Sequence, residues 1–463
     1  MSSSRSAAEP VLRSAGILLH LTSLPDGLIG DWAYAFVDFL QAAGCTTWQV
    51  LPLGPTGEQR SPYSLLSAFA GDAGLLPRKA LQEPIGKAAR LEEFVERERR
   101  WLEDYALFAV LKRESRGLPW WQWPPEARDR NPTTIAALAK RHSAGVAETC
   151  RQQFQFAASW RALRRYANDR GVLLYGDMPM FPVADSVDVW VNRHLFKLGP
   201  DGRARVVAGV PPDLFAADGQ RWGNPVFDWK ALREEGFRWW IERVRHELQR
   251  FDLLRWDHFR GLVATWEIPE RAKTAREGEW HDVPGRALLH ALQVELGELP
   301  IVAENLGSIT PEVEQLRHDF RLPGMHVLQF AFDGTPDNPH VPANHEERGV
   351  AYTGTHDNDT TLGWFRSLTR DLQRIVLGET GGSEREMPWP AIRAVLNARA
   401  RLAVVPMQDY LSLDSTHRMN RPGVAEGNWL WRLGPGDLTD RLARKIREAV
   451  AAAARVRQER ERR

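Results

Sequence analysis

The segment Phe251-Asp-Leu-Leu-Arg255-Trp-Asp257-His-Phe-Arg260-Gly261 runs from a short apolar stretch straight into a cluster of charge. An apolar run of strand length that stops at a charged residue predicts a buried strand carrying a side chain to its exposed end. Working outward, the same form recurs: Pro300-Ile-Val leads into Ala303-Glu304-Asn-Leu-Gly307, and Val350-Ala-Tyr leads into Thr355-His356-Asp357-Asn-Asp359. Eight runs of this kind can be marked, at 15–21, 46–53, 171–178, 251–257, 300–306, 325–332, 350–356 and 402–408. Helical periodicity follows most of them, as over 33–43 and 311–317, where Thr310 fits an N-cap and Pro311 the first turn. Strand–helix alternation repeated eight times predicts an α/β fold, a parallel (β/α)8 TIM barrel.

The spacing is uneven. Over a hundred residues separate the second and third runs, with a strongly helical stretch from Leu91 to Arg116. The segment VVAGVPPDLFAADGQRWGNP, 206–225, is too rich in Gly and Pro to be regular throughout. The expectation is one catalytic barrel over 1–463, a mainly helical insertion at 80–170 after the second strand, and an insertion or lid region at 179–250 after the third. Long excursions from strand C-termini build the active-site rim in such barrels.

Composition narrows the function classes. Lys+Arg 61 nearly cancel Asp+Glu 60, so nothing global points to nucleic acid or an anionic membrane. The basic end, Arg455 to Arg463, is mixed with Glu and reads as a solvated helix end. Cys45 and Cys150 are the only cysteines, which excludes a disulfide framework and a cysteine-rich zinc cluster. The first residues hold no apolar signal region and no apolar stretch would span a bilayer, so a cytoplasmic protein is expected. Tryptophan is the outlier at 19 residues: most are expected in the core, a few against ligand, since indole rings stack on the apolar faces of sugars.

In a barrel every strand's C-terminal end faces one mouth, so Asp257, Glu304 and Asp357 are expected to meet there. Three carboxylates in one cleft suit chemistry at an acetal carbon, whose oxocarbenium-like transition state needs an acid and an anion. A retaining mechanism wants its two carboxyls about 5–5.5 Å apart, and adjacent strands lie about 4.8 Å apart. Asp257 and Glu304, on neighbouring strands, are therefore the expected working pair, with Asp357 holding sugar hydroxyls and distorting the ring. Arg255 lies two positions before Asp257 and points to the same face, where a guanidinium favours and positions the carboxylate. Glu304 has the opposite need, a proton near neutral pH, which burial and the nearby Asp257 would favour. Asp-Asn-Asp beside a histidine resembles a metal loop, but the longer pattern of an EF-hand, with its Gly and Glu, is lacking.

With these residues in place, the chain resembles the amylomaltase family, the 4-α-glucanotransferases or disproportionating enzymes of glycoside hydrolase family 77. The likeness runs over nearly the whole chain and in one order: LLHLTSLP, WQVLPLGPTG, SPYSLLSAFAG, YGDMP, DSVDVW, VVAGVPPD, GQRWGNPVFDW, RWDHFRG, AENLGSITPEV, YTGTHDNDT, VVPMQD and MNRPGVAEGNWLWRL. The resemblance implies Asp257 as nucleophile, Glu304 as acid/base and Asp357 as transition-state stabiliser. It also implies that Tyr63, Asp177, Arg255 and His356 line the subsite of bond cleavage, and that Gln220, Trp222 and Asn224 belong to a loop covering the glucan, with 206–226 as a lid. It implies no metal and no organic cofactor, α-1,4-glucans and maltooligosaccharides as partners, and a monomer or weak homodimer. The chain departs from the family pattern in the short loop LPDGLIGDWA, a trimmed loop after LGPTG, and Leu214, Trp256 and Asn305 where Tyr, Ile and Asp are more usual. Transfer of glucan segments is the implied activity. An α-1,4-glucan hydrolase with the same triad and a catalytically silent glucan-binding barrel are the alternatives.

Overall fold

A computed structural model describes residues 13–57, 60–82, 88–212, 217–424 and 426–456. Its strands are β1 (Ser14–Leu18), β2 (Thr47–Gln49), β3 (Leu173–Met178), β4 (Val206–Val210), β5 (Gln220–Pro225), β6 (Leu253–Trp256), β7 (Ala264–Pro269), β8 (Glu279–Asp282), β9 (Ile301–Ala303), β10 (Met325–Val327), β11 (Val350–Tyr352) and β12 (Leu402–Pro406). Eight of them, β10-β11-β12-β1-β2-β3-β6-β9, form one parallel sheet curled into a (β/α)8 barrel. These are the eight apolar runs of the sequence. Several stop short of the run that marks them: 325–332 is strand only to Val327 and then a 3-10 turn, and 402–408 bends into a helical turn at Met407.

Alternate residues of each strand fill the barrel, among them Leu18, Leu51, Tyr175, Val302, Val327, Tyr352 and Val404, all buried. The others face the helices. Trp256 shows the rule: between inward Arg255 and Asp257, it turns outward and stacks on Trp240 of the helix Arg238–Arg250, ring centroids 5.0 Å apart. That outward slot accepts the large side chain which stands where Ile is more usual.

The ring is not closed by a ladder. Among the described residues no strand pairing joins β9 to β10; the seam is held by Ala303 N–H donating to Pro323 O (2.8 Å) and by the Asn305 side chain, whose Oδ1 accepts from Met325 N–H (2.8 Å) while its Nδ2 donates to Glu314 (2.8 Å).

Between β2 and β3 lie long antiparallel helices, Ala88–Glu114 and Ser143–Asp169, with three shorter ones. Thr310 occupies the N-cap position of the helix Pro311–Asp319, but its side chain makes no capping bond there. Within the segment expected as a lid, β4 and β5 pair as a hairpin inside an antiparallel sheet ordered β5-β4-β7-β8. Of these four strands only β4, Val-Val-Ala-Gly-Val, is an apolar run, and β5, with Gly, Asn and Pro, reads as turn; pairing with β4 overrides its composition. Leu214 lies outside the described residues.

The C-terminal expectation fails at Arg455. Rather than ending a solvated helix, it is fully buried, donating to Leu396 O, Ser14 O (2.9 Å), Arg401 O (2.7 Å), Ala398 O (2.8 Å) and Ala400 O (2.7 Å). Most of the remaining basic tail, from 457, lies outside the described residues.

Candidate active site

β6 lies between β3 and β9, with Arg255 paired to Asp177 on one side and to Val302 on the other. The register of β6 with β9 runs Leu254–Ile301, Arg255–Val302, Trp256–Ala303, so the next positions, Asp257 and Glu304, leave the barrel side by side. Backbone bonds extend the pairing past the ladder: Asp257 N–H to Met178 O (3.1 Å) and Glu304 N–H to Trp256 O (3.1 Å).

Arg255 is the hub. Its buried Nη1 lies 2.9 Å from both oxygens of Asp177 and 2.8 Å from Asp257 Oδ1, and its Nη2 is 4.0 Å from Glu304 Oε2. One guanidinium thus serves three carboxyls. Asp177 in turn accepts from Tyr63 Oη–H (2.7 Å), and that oxygen lies 2.8 Å from His356 Nε2. With the Tyr63 proton directed at Asp177, the phenol oxygen accepts from Nε2–H. The Tyr63 and His356 rings stack at 5.3 Å, and His356 Nε2 is 3.4 Å from Asp357 Oδ2. A continuous polar chain, Asp257–Arg255–Asp177–Tyr63–His356–Asp357, therefore joins the fourth strand's carboxylate to the seventh's.

The environments separate the carboxyls. Burial pushes Glu304 up to about 8; Arg255 opposes this and the charge of Asp257 adds to it. Both Glu304 oxygens accept backbone bonds, from His258 N–H (2.7 Å) and Leu306 N–H (2.9 Å), which fix the carboxyl plane. The first donor is presented by a left-handed His258, φ 51°. Asp357 goes the other way. Burial of its charge would raise it, but the charge and hydrogen bond of His356 and the bond from Asn420 hold it well below the usual carboxylate range. His356 is raised: its own burial lowers it, and Asp357 more than offsets that.

The hairpin supplies the rim. Trp222, partly exposed, meets the His258 ring edge-on at 4.8 Å and donates to Gln220 Oε1 (3.2 Å). Asn224 Nδ2 is taken up by Pro182 O (3.1 Å) and Phe181 O (3.3 Å), so this residue fastens the hairpin to the chain after β3. Arg221 donates to Glu270 O (2.7 Å), and Arg276 to Asp218 (2.7 Å), tying the hairpin to its neighbours.

Every site residue named from the sequence thus lies at this mouth or in its rim. Three others were missed. Asn420 donates to Asp357 Oδ1 (2.6 Å), Arg418 donates to Asp357 O (2.7 Å), and Trp429, at φ 63°, places its ring 6.1 Å from Tyr63 and 6.0 Å from His356. For Asn420 and Trp429 the signal was the segment MNRPGVAEGNWLWRL, which Arg418 immediately precedes, far beyond the last marked carboxylate and without an apolar run to place it. Among the described residues one group converges as metal ligands would, Glu314, His318 and Glu346, but Arg317 sits among them and bonds both carboxylates, so its guanidinium already stands where a cation would.

Comparison with known proteins identifies the family. A family model described as 4-alpha-glucanotransferase (glycoside hydrolase family 77) matches residues 19–87 and 76–438. The chain is 44% identical to a 4-alpha-glucanotransferase of Thermus thermophilus, over 96% of this chain and 99% of that one. It is 42% identical to one of Synechocystis, over 93% and 96%. A solved amylomaltase from Streptococcus agalactiae, in complex with acarbose, superposes with a TM-score of 0.92 at 33% identity, covering 96% of this chain and 100% of that one.

Proposed function

Since the chain belongs to the 4-alpha-glucanotransferase family of glycoside hydrolase family 77 and is an enzyme of glucan transfer, we propose that Asp257, Glu304 and Asp357 divide the chemistry of a retaining double displacement on α-1,4-glucans. Asp257 attacks the anomeric carbon while Glu304 protonates the departing 4-oxygen, giving a glucosyl ester on Asp257 and a free glucan end. The 4-hydroxyl of an acceptor, deprotonated by the same Glu304, then displaces Asp257 with a second inversion. The observation that carries this reading is the adjacent register of Asp257 and Glu304 together with their opposite surroundings: Asp257 bonded to Arg255, Glu304 raised to about 8. Glu304 thus holds its proton at neutral pH beside a carboxyl that a guanidinium positions, the pairing a retaining mechanism needs.

Asp357, held as an anion beside His356, suits stabilisation of positive charge on the sugar ring. Tyr63 stacks on His356 and with it walls the cleavage subsite. Transfer has to outrun hydrolysis in water, which requires excluding solvent and positioning the acceptor; a hairpin tied at Arg221, Asn224 and Arg276, presenting Trp222, supports both. We further read 1–463 as one catalytic unit, with 80–170 and 179–250 as excursions that shape the mouth. Cys45 and Cys150, both buried and unpaired, support a reducing, cytoplasmic location, and no helix among the described residues is long and apolar enough to cross a membrane.

Incubating the pure protein with maltotriose tests the reading: a ladder of longer and shorter oligosaccharides is expected, and exclusively shorter products would replace transfer with hydrolysis. Asp257→Asn is expected to abolish the ladder.

A further inference from the structure

The motif VVPMQD closes the last barrel strand and takes no part in the chemistry described so far. β12 ends at Pro406, and the chain turns at once into the short helix Met407–Tyr410, which buries Asp409. β11 is the neighbour of β12, with Tyr352 paired to Val404. The chain leaving β11 runs from Thr353 to Thr361, where the helix Thr361–Ser367 begins. Asp357 stands midway in that loop, four residues from either end, with His356 beside it.

Asp409 bonds both ends of the loop. Its Oδ2 accepts from Thr353 Oγ1 (2.6 Å) and Thr361 Oγ1 (2.6 Å), and its Oδ1 accepts from Thr361 N–H (2.7 Å). All three residues are buried. Burial pushes Asp409 up, the bonds from Thr353 and Thr361 pull it back, and the charge of Asp359 adds to the rise. Among the described residues no Lys, Arg or His forms an ion pair with it, so the loop ends are its main compensation. A buried carboxylate without a cation is a costly fastener, and such costs gather where a site must be held to a fixed geometry. Within the loop, Asn358 Oδ1 accepts from Thr355 N–H (2.9 Å) and Thr355 Oγ1 (2.9 Å), while Asp359 accepts from Ser415 Oγ (2.7 Å). These bonds keep the loop's own shape. Asp409 fixes where that shape stands over the barrel.

We propose that Asp409 is a positioning residue for glucan transfer: by clamping Thr353 to Thr361 it sets where His356 and Asp357 meet the sugar ring. The assignment deepens the transfer reading and rests on Asp357 being its charge-stabilising carboxylate. A displacement on the order of 1 Å of a group that acts in the transition state costs about a hundredfold in rate. The bound sugar, held by the rest of the cleft, would feel it far less.

Initial rates of maltotriose disproportionation over a range of concentrations, with thermal melting alongside, test this. Thr361→Val keeps the shape and removes one donor; kcat is expected to fall about tenfold with KM within about twofold, as when an interaction made only in the transition state is lost. Thr353→Val should act in the same direction. Thr361→Ser restores the hydroxyl and should recover most of the kcat. Asp409→Ala should lose at least about a hundredfold; if it melts too low to assay, the threonine variants decide alone. A lower melting temperature with unchanged kcat in Thr361→Val would make Asp409 a fastener of the fold and overturn the proposal. So would a loss carried by KM, or Thr361→Ser losing as much as Thr361→Val. Exclusively shorter products from the unaltered protein would overturn transfer and leave this comparison standing, because hydrolysis crosses the same oxocarbenium-like transition state.

Discussion

Glu304 works as an acid only while it keeps its proton, and its surroundings set how far up the pH scale that lasts. With Glu304 raised to about 8, transfer rates should fall above roughly that pH, as initial rates of maltotriose disproportionation across neutral and alkaline pH would record. The same shift bears on stability. In the unfolded chain the group titrates near 4.5, so between there and about 8 the folded state holds a proton that the unfolded state has lost. Stability therefore declines as pH rises through that window, and the whole decline is in place above about 8. Glu304→Gln, which cannot ionise, should lose activity and gain in melting temperature relative to the unaltered protein progressively from acid to alkaline pH. A constant difference would show that the proton is not held there. Asn420 offers a second test at this scale. Asn420→Ala removes a 2.6 Å bond to Asp357, and about a tenfold lower kcat is expected from one lost hydrogen bond to a charged group, with folding little changed.

At the scale of elements, the β9–β10 seam stands apart, for side-chain bonding by Asn305 replaces the usual ladder there. Asn305→Ala leaves Met325 N–H unpaired in the interior and should cost about 1–3 kcal/mol. Native-state hydrogen exchange would locate the loss, with the Met325 amide losing protection before those of β1 or β12. What the sequence revealed at this scale, and what it hid, divides by the kind of signal. The eight barrel strands were legible because strands buried on both faces are apolar throughout, and the carboxylates were legible because each interrupts such a run. The hairpin β4–β5 was not, because Gln220–Pro225 becomes strand only through pairing with β4, which is itself paired to β7. Arg255 was read as the partner of Asp257. Its two contacts with Asp177 belong to a neighbouring strand, and only the register of β3 against β6 brings them together. Asn420 and Trp429 were hidden for the same reason, being brought in by a loop with no periodic pattern.

For the whole molecule, Arg455 is the side chain that joins the two ends. It spans Ser14 at the start of β1 and the carbonyls of 396–401 just before β12, where the first and last barrel strands pair. Arg455→Met keeps the bulk and strands buried carbonyls without donors; a loss of a few kcal/mol is expected, because unpaired buried polar groups cost about 1–3 kcal/mol each and part of the carbonyl set can relax. Thermal melting should show a drop of several degrees, with glucan affinity at permissive temperature unaltered.

The position of that knot also determines how the molecule can be handled. Ser14 and Arg455 meet at the N-terminal rim of the barrel strands, so both ends of the described chain emerge on the face turned away from the carboxylates. A bead, surface or fused partner attached at either end would hold the protein with its cleft toward the solution, leaving a long polysaccharide free to thread in and out.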